Sequence, residues 1–395
     1  MSSDTKVVIY YGPLSWLRVA LGEMERQYLL DIVSEQDEEK RRFHHTVEGQ
    51  TPEEVEKGPR PTLVVAESAD YASVQEHAIM NFVGLVHSID PEQLVLHNPP
   101  ARIHTQLGRE FETEVKRYSY PTVTRETLAQ FRDRFSGKLV GQPAVQDEML
   151  AALYPLTTDR RDKPVVLMFY GPSGVGKTET AQFVNGLLGG RLMRKQFSMF
   201  HNDRFASYLF GGTHSEDSFA RDLLDRESGV ILIDEFDKAN PVFHSAFYQL
   251  FDGGVFEDKN YNVTVGSSLI ICTSNYGTED EIRQALGDAL YSRFDSLIRF
   301  KPLTRDEILQ VIDRLVDDRF GKLAAEEQAR LESGEVKAKL RPLADGPGNV
   351  RKLGKQVDGV ISLMLVRALL DEVPPVDCEL DADAPSRSGG CTGSR

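Results

Sequence analysis

Three scarcities narrow the field before any motif is read. Cysteine is rare: Cys272, Cys378 and Cys391 are the only three in 395 residues. An odd, irregularly spaced set builds no disulfide framework and reads as reduced thiols. Cationic charge is in deficit, with 46 Lys and Arg against 61 Asp and Glu and a net charge of -15. Nucleic acid is therefore an unexpected partner, because a phosphate backbone asks for clustered lysine and arginine. Long apolar runs are missing too, and none approaches the ~20 residues of a membrane span. The opening MSSDTKVVIYYG has neither the basic start nor the apolar stretch of a signal peptide. A cytoplasmic location without membrane attachment is expected. No internal repeat is evident in the sequence.

What remains has ordinary globular composition, 40% hydrophobic and 27% charged. Four regions are expected. Residues 1–125 read as a small α/β domain of the adaptor type. Its strands are Val7–Tyr10, Thr62–Ala66 and Leu94–Leu96. A helical pattern runs through Trp16, Val19, Ala20, Met24 and Leu29 into the charged stretch Ser34–Arg42, and Val74–Val86 reads as a second helix. His97–Pro121, with its NPP, reads as a linker. Adjacent His44 and His45 face different ways on any regular element, so a solvated pair is expected rather than a metal site. Residues 126–300 alternate apolar strands, Val165–Tyr170, Val230–Ile233 and Leu269–Thr273, with helices, as a parallel sheet with crossovers does. Residues 301–372 read as a small helical lid. Thr304 and Glu307 form a capping box before an apolar-periodic run, and Asn349–Leu370 is a second helix. Residues 373–395, rich in Pro, Ser, Gly and Asp, are expected to stay disordered.

The strongest chemical signal is Gly171-Pro172-Ser173-Gly174-Val175-Gly176-Lys177-Thr178. It fits G-x-x-x-x-G-K-[ST] in full, with a strand before it and a helical pattern after it. Glycines let backbone N–H groups curl toward phosphate oxygens, and the following helix adds its positive end. In such a loop Lys177 supplies a point charge to the β- and γ-phosphates of ATP, and Thr178 a hydroxyl to Mg²⁺. A second signal is Val230–Glu235, an apolar strand ending in two acids. Asp234 there would support Mg²⁺ and Glu235 would activate the attacking water. A third, Leu269–Asn275, is another apolar strand with a polar end. Asn275 could help hold that water, although asparagine at a strand end is as readily a turn former.

The order phosphate loop, IDEFDKA, TSN, YSRFD resembles the Clp family of AAA+ ATPases, in particular the C-terminal ATPase module of Clp disaggregases and unfoldases. The resemblance covers Leu139 to Leu370. It implies a P-loop AAA+ parallel sheet flanked by helices and followed by a helical lid, with ATP and Mg²⁺ as cofactors. LVGQ, Leu139–Gln142, looks like the adenine-side motif, with Val140 at the base. YSRFD makes Arg293 the arginine-finger candidate, acting in trans in a homo-hexamer, and GNVRKL makes Arg351 the lid arginine that meets the γ-phosphate in cis. Either arginine, taken alone, also reads as a surface ion pair.

The pattern departs from the family in two places. The substrate-gripping pore loop corresponds to Tyr208–Ser218, which is shortened and lacks a Gly-Tyr-Val-Gly; Tyr208 and Phe210 are expected to pack in the core. After Asn275 the chain runs almost at once into Glu281–Leu290, without the Ile-Gly-Phe loop that docks a peptidase ring. Docking to a peptidase ring is therefore not expected. Three functions stand in order: ATP-driven remodelling of a protein client recruited through the N-terminal domain, an ATP-dependent assembly switch without threading, and a nucleic-acid motor or loader.

Overall fold

The computed structural model describes residues 4–43, 59–158, 161–199, 203–214, 216–346 and 348–372. His44, His45, Cys378, Cys391 and the segment 373–395 lie outside them. The chain divides at Thr304 and Arg305 into two compact units. Among the described residues the first unit holds two parallel sheets and a hairpin, and the second only helices. The fold is α/β, with parallel sheets covered by helices.

The first sheet uses β1 (Lys6–Tyr11), β2 (Gln27–Tyr28), β3 (Leu63–Ala66), β4 (Gln93–His97) and β5 (Thr113–Arg117) in the order β2-β3-β4-β1-β5, all parallel. The middles of its central strands are apolar because both faces are covered. Val7, Ile9, Val64 and Leu94 face one core with Ile103 and Leu107. Val8, Tyr10, Val65 and Val95 face the other with Leu17 and Leu21.

The second sheet uses β6 (Val165–Tyr170), β7 (Met193–Gln196), β8 (Val230–Asp234), β11 (Leu269–Thr273) and β12 (Ser296–Arg299), again all parallel, in the order β12-β6-β11-β8-β7. Between β8 and β11 lies the antiparallel hairpin β9 (Val255–Glu257) and β10 (Asn262–Thr264). The Asp258 carboxylate shapes its turn by accepting the N–H groups of Asn260 and Tyr261 at 2.8 and 2.7 Å. Alternate residues of β6, β8 and β11 again feed two cores. One is dominated by Phe197, Phe219, Phe236 and Phe247, and the other by Phe131, Phe135 and Met149.

Several expectations need correction. His97–Pro121 is not a linker. It contains the end of β4, the helix Ala101–Glu110 and the edge strand β5. NPP misleads because Pro100 stands at the N-cap of that helix, where proline is tolerated. The single early helix is broken: Leu14–Leu21 ends at Gly22, φ +53°, and a new helix, Leu29–Phe43, follows the short β2. Val74–Val86 is likewise split between two short helices, Glu76–Met80 and Phe82–Ile89. The absence of a repeat is the largest correction. Numbered within its own sheet, each sheet runs fifth-first-fourth-third-second. The chain contains the same strand order twice.

In the second unit the helix Arg305–Phe320 packs on Ser333–Leu340 and Val350–Glu372. Ile308, Ile312, Val316, Val336, Leu340 and Val357 are buried on these three helices. Asn349 caps the last helix by accepting the Lys352 N–H at 3.1 Å.

Candidate active site

The loop after β6 is shaped by two close approaches. Gly171 has φ +126°, and a Cβ there would lie 2.2 Å from the Phe300 carbonyl oxygen. Gly176 has φ +110°, and a Cβ there would lie 2.7 Å from Leu139 Cδ2. A side chain at either position would push the loop off its sheet or off the segment Leu139–Gln142. Val175 is buried and anchors the loop from below, while Pro172 and Ser173 are exposed and Gly174 is half-buried. The helix Lys177–Leu188 then starts at a glycine that offers no side-chain cap. Its first-turn N–H groups and its dipole therefore face the loop.

Lys177 is buried, 8% exposed. Its ammonium donates to Gly171 O at 2.6 Å, Pro172 O at 2.8 Å and Asn275 Oδ1 at 3.1 Å. Burial lowers its pKa to about 8, and the Asp234 and Asp237 carboxylates oppose that shift only in part. This sets a pH dependence. Below pH 8 the lysine is charged and ready to meet a phosphate. As pH rises through 8 it loses its proton in the nucleotide-free protein, and binding must then take a proton back. ATP affinity is expected to be flat up to pH 7 and to fall by up to about tenfold per unit above pH 8. Titrations with a fluorescent ATP analogue at pH 7, 8, 9 and 9.5 measure this; a flat profile would remove Lys177 from the phosphate contact.

Across the loop stands the carboxyl end of β8. Asp234 is 6% exposed. Its Oδ2 accepts the Thr178 hydroxyl at 3.5 Å, and its Oδ1 accepts the Thr273 hydroxyl. The same Thr273 oxygen accepts the Glu235 N–H at 3.0 Å. Glu235 takes left-handed φ 56° and ψ 45°. For a residue with a Cβ this costs on the order of 1–3 kcal/mol, a strain that the neighbouring hydrogen bonds hold in place. Its Oε2 accepts from Gln196 Nε2 at 3.1 Å. Gly171–Thr178, Asp234, Glu235 and Asn275 thus meet at the carboxyl ends of β6, β8 and β11, where open α/β sheets bind their ligands.

Two partners in this site, Arg194 and Gln196, were not read from the sequence, and two more, Thr273 and Gln142, were read only as part of a motif. Arg194 Nε donates to Asp234 Oδ2 at 3.1 Å, and Gln196 and Thr273 hold Glu235. Arg194 and Gln196 alternate on β7, so a period-2 reading of that charged edge strand would have put them on one face beside the acids. Gln142 is buried, and its side-chain amide bonds both the Lys301 carbonyl and the Lys301 N–H, at 2.9 and 3.1 Å. It fixes the Leu139–Gln142 segment beside the loop, with Val140 half-buried within it.

Each of the two arginines lies within its own unit. Arg293 bonds Asp252 Oδ2 at 2.8 Å, reaches Ala289 O and lies over the Tyr248 ring at 4.4 Å. Arg351 is exposed on the first turn of Val350–Glu372, in the second unit. The two aromatics of the shortened loop part company. Tyr208 packs in the core and donates to Asp222 at 2.6 Å, as expected, whereas Phe210 is 44% exposed. Among the described residues no cluster of three or more His, Cys, Asp or Glu is arranged for a metal, and no helix is long and apolar enough to cross a membrane.

Residues 162–338 match the family model of the AAA domain, Cdc48 subfamily. A ClpA homolog protein of Fuscovulum blasticum is 29% identical over 220 residues, covering 48% of this chain and 28% of the relative. ClpL, an ATP-dependent Clp protease ATP-binding subunit of Staphylococcus aureus, is 28% identical over 49% of this chain and 31% of its own. The chaperone protein ClpB of Chlamydia pneumoniae is 28% identical over 47% of this chain and 26% of its own. The chain thus spans under a third of the length of these curated relatives. Among solved structures, the closed state of Hsp104 with ATPyS and FITC casein superposes with a TM-score of 0.54 at 14% identity, over 94% of this chain and 90% of that one. At that identity the likeness is one of fold.

Proposed function

We propose that this chain, a Clp-like AAA+ ATPase by the module it carries, hydrolyses ATP at Gly171–Thr178 and uses that hydrolysis to remodel a protein client. The observation that carries the reading is the Lys177 ammonium, held between two loop carbonyls and Asn275 opposite the Asp234–Glu235 pair. A γ-phosphate would replace one or more of those neutral acceptors with a charged one, which a buried ammonium binds more strongly. Thr178 Oγ1 and Asp234 Oδ2, 3.5 Å apart, are hard oxygen donors that fit Mg²⁺ shared with the phosphates. The ion would offset charge on the transferring group. Glu235 would accept the proton of the attacking water and Asn275 would help orient it. Val140 would line the base, and Arg351 would reach the γ-phosphate from its own chain's lid. Arg293 would serve a neighbouring subunit, which makes the active species a closed ring, by family likeness a homo-hexamer. Partner recognition would fall to the N-terminal domain and nucleic acid has no part in the reading.

The shortened pore loop favours a second reading, an assembly switch without threading, since Tyr208 is tied down by Asp222. Phe210 decides between them, being the aromatic of that loop left exposed. In ATP, a labelled unfolded polypeptide is expected to bind the protein, and Phe210→Ala is expected to weaken that binding about tenfold, roughly the 1–2 kcal/mol of a partly exposed aromatic contact. Fluorescence anisotropy measures it. Equal binding by both proteins, or none by either, would leave the switch as the better account.

A further inference from the structure

The N-terminal sheet repeats more than the strand order of the nucleotide module. Tyr10-Tyr11-Gly12-Pro13 ends β1 as Phe169-Tyr170-Gly171-Pro172 ends β6. The surrounding hydrogen bonds coincide pair by pair. Tyr118 N–H donates to Tyr11 O at 2.8 Å, as Phe300 N–H does to Tyr170 O at 2.8 Å; Asn98 N–H donates to Tyr10 O at 2.9 Å, as Ser274 N–H does to Phe169 O at 2.9 Å. Gly12 has φ +153°, and a Cβ there would strike Tyr118 Cβ at 2.4 Å, just as one at Gly171 would strike Phe300. The register continues to the acids. Ala66 pairs with Leu96 as Ile233 pairs with Cys272, so Glu67 stands where Asp234 stands. Arg18 grips Glu67 at 3.0 Å much as Arg194 grips Asp234.

What differs is the cradle. After Pro172 the chain spends Ser173–Gly176 on a loop before its helix, whereas after Pro13 the helix Leu14–Leu21 begins at once. No Gly-Lys-Thr follows. The polar groups of Gly12 are instead closed off from within: its N–H by Asn98 Oδ1 at 3.0 Å, its carbonyl by Asn98 Nδ2 at 2.8 Å and His97 Nε2 at 2.7 Å. The start of the helix, where a phosphate would lie in a working loop, is taken by a carboxylate. Asp225 Oδ1 accepts the Leu14 N–H at 2.9 Å, and Glu227 accepts the Ser15 hydroxyl at 3.2 Å. Between them Arg226 stacks over the Tyr120 ring at 3.6 Å, and Tyr120 donates to Leu224 O at 3.0 Å. All three acceptor and stacking residues, 225–227, belong to the nucleotide module and lead straight into β8, the strand that carries Asp234.

We propose that the N-terminal sheet is a second P-loop-type module that has lost nucleotide binding, and that Asp225 of the working module occupies its phosphate position in cis. It is a built-in docking partner, clamped at the entry of β8, that takes no ATP of its own. The chain is a tandem with one loaded and one sealed site.

Trp16 makes this measurable. It is the one tryptophan of the chain, packed edge-on to Tyr10 at 5.1 Å and tilted against Tyr118 at 5.6 Å beside the sealed loop. Equilibrium dialysis with labelled ATP is expected to give one nucleotide per parent chain and none for Lys177→Ala, whose Trp16 emission stays unchanged at millimolar MgATP. Asp225→Ala combined with Glu227→Ala is expected to move Trp16 emission to longer wavelength without creating nucleotide binding, while Asp225→Asn, which keeps an acceptor oxygen, stays close to the parent. Two nucleotides per parent chain, or one retained by Lys177→Ala with quenching of Trp16, would overturn the sealed site. Unshifted emission in the double variant would overturn the Asp225 clamp. A parent that bound no nucleotide would instead remove the ATP reading of Gly171–Thr178, a different failure from either of these.

Discussion

Glu235→Gln is expected to bind ATP with parent affinity and to release phosphate about 10²–10⁴-fold more slowly, the usual worth of a general base. The substitution is close to isosteric. Gln196 still finds an acceptor oxygen, the backbone N–H still reaches Thr273, and neither Lys177 nor Asp234 is touched. What disappears is the ability to take a proton. The loss should therefore fall on turnover and spare binding, which single-turnover phosphate release beside a fluorescent-nucleotide titration resolves. The left-handed backbone at Glu235 makes the separation cleaner, because glutamine carries the same strain there and no new conformation is released. Parent-like turnover would take Glu235 out of the chemistry. Weakened binding with normal turnover would place it among the nucleotide contacts instead.

How far this site could be read in advance depended on which residues face apolar surroundings. β6, β8 and β11 are buried on both faces, so Val165–Tyr170, Val230–Ile233 and Leu269–Thr273 were visible as apolar runs, and the acids and Asn275 were visible as the breaks at their ends. Edge strands carry no such run. β5 reads Thr-Glu-Val-Lys-Arg and β7 reads Met-Arg-Lys-Gln, because one side of each faces solvent. Missing β5 turned an edge strand into a linker, and missing β7 hid Arg194 and Gln196. The duplicated strand order was hidden for a related reason. Strand order is a property of connections, and two sheets built from Val, Ile and Leu share a topology with hardly a shared residue beyond Tyr-Gly-Pro. A phosphate-loop signature is absent at the one place where a sequence would display it, because Leu14 follows Pro13 directly and begins the helix. The first helix break hides inside an otherwise periodic pattern, where a single glycine, Gly22, takes a positive φ and ends Leu14–Leu21.

Arg293→Ala is expected to slow hydrolysis by about 10³–10⁵-fold, or roughly 4–7 kcal/mol of barrier, if the guanidinium serves a neighbouring site. Within its own chain the side chain is already engaged, bonded to Asp252 and laid over Tyr248 with 24% of it exposed. Those contacts suit two roles. An ion pair this open contributes at most about 1 kcal/mol to the fold, so a purely structural Arg293 predicts a small effect on turnover and near-complete recovery in Arg293→Lys, which keeps a charge beside Asp252. A finger predicts the reverse: Asp252 and Tyr248 aim the guanidinium, its fork geometry matters, and lysine does not restore the rate. The mixing experiment decides whether the site served is another subunit's. Arg293→Ala subunits keep an intact Glu235 but lack the finger; Glu235→Gln subunits keep the finger but lack the base. Each alone turns over slowly. Mixed before assembly, each Arg293→Ala site that borders a Glu235→Gln neighbour regains both groups, and phosphate release should reappear and peak at intermediate ratios. A mixture as inactive as its components would confine Arg293 to its own chain, and with it would go the strongest reason to expect a closed ring.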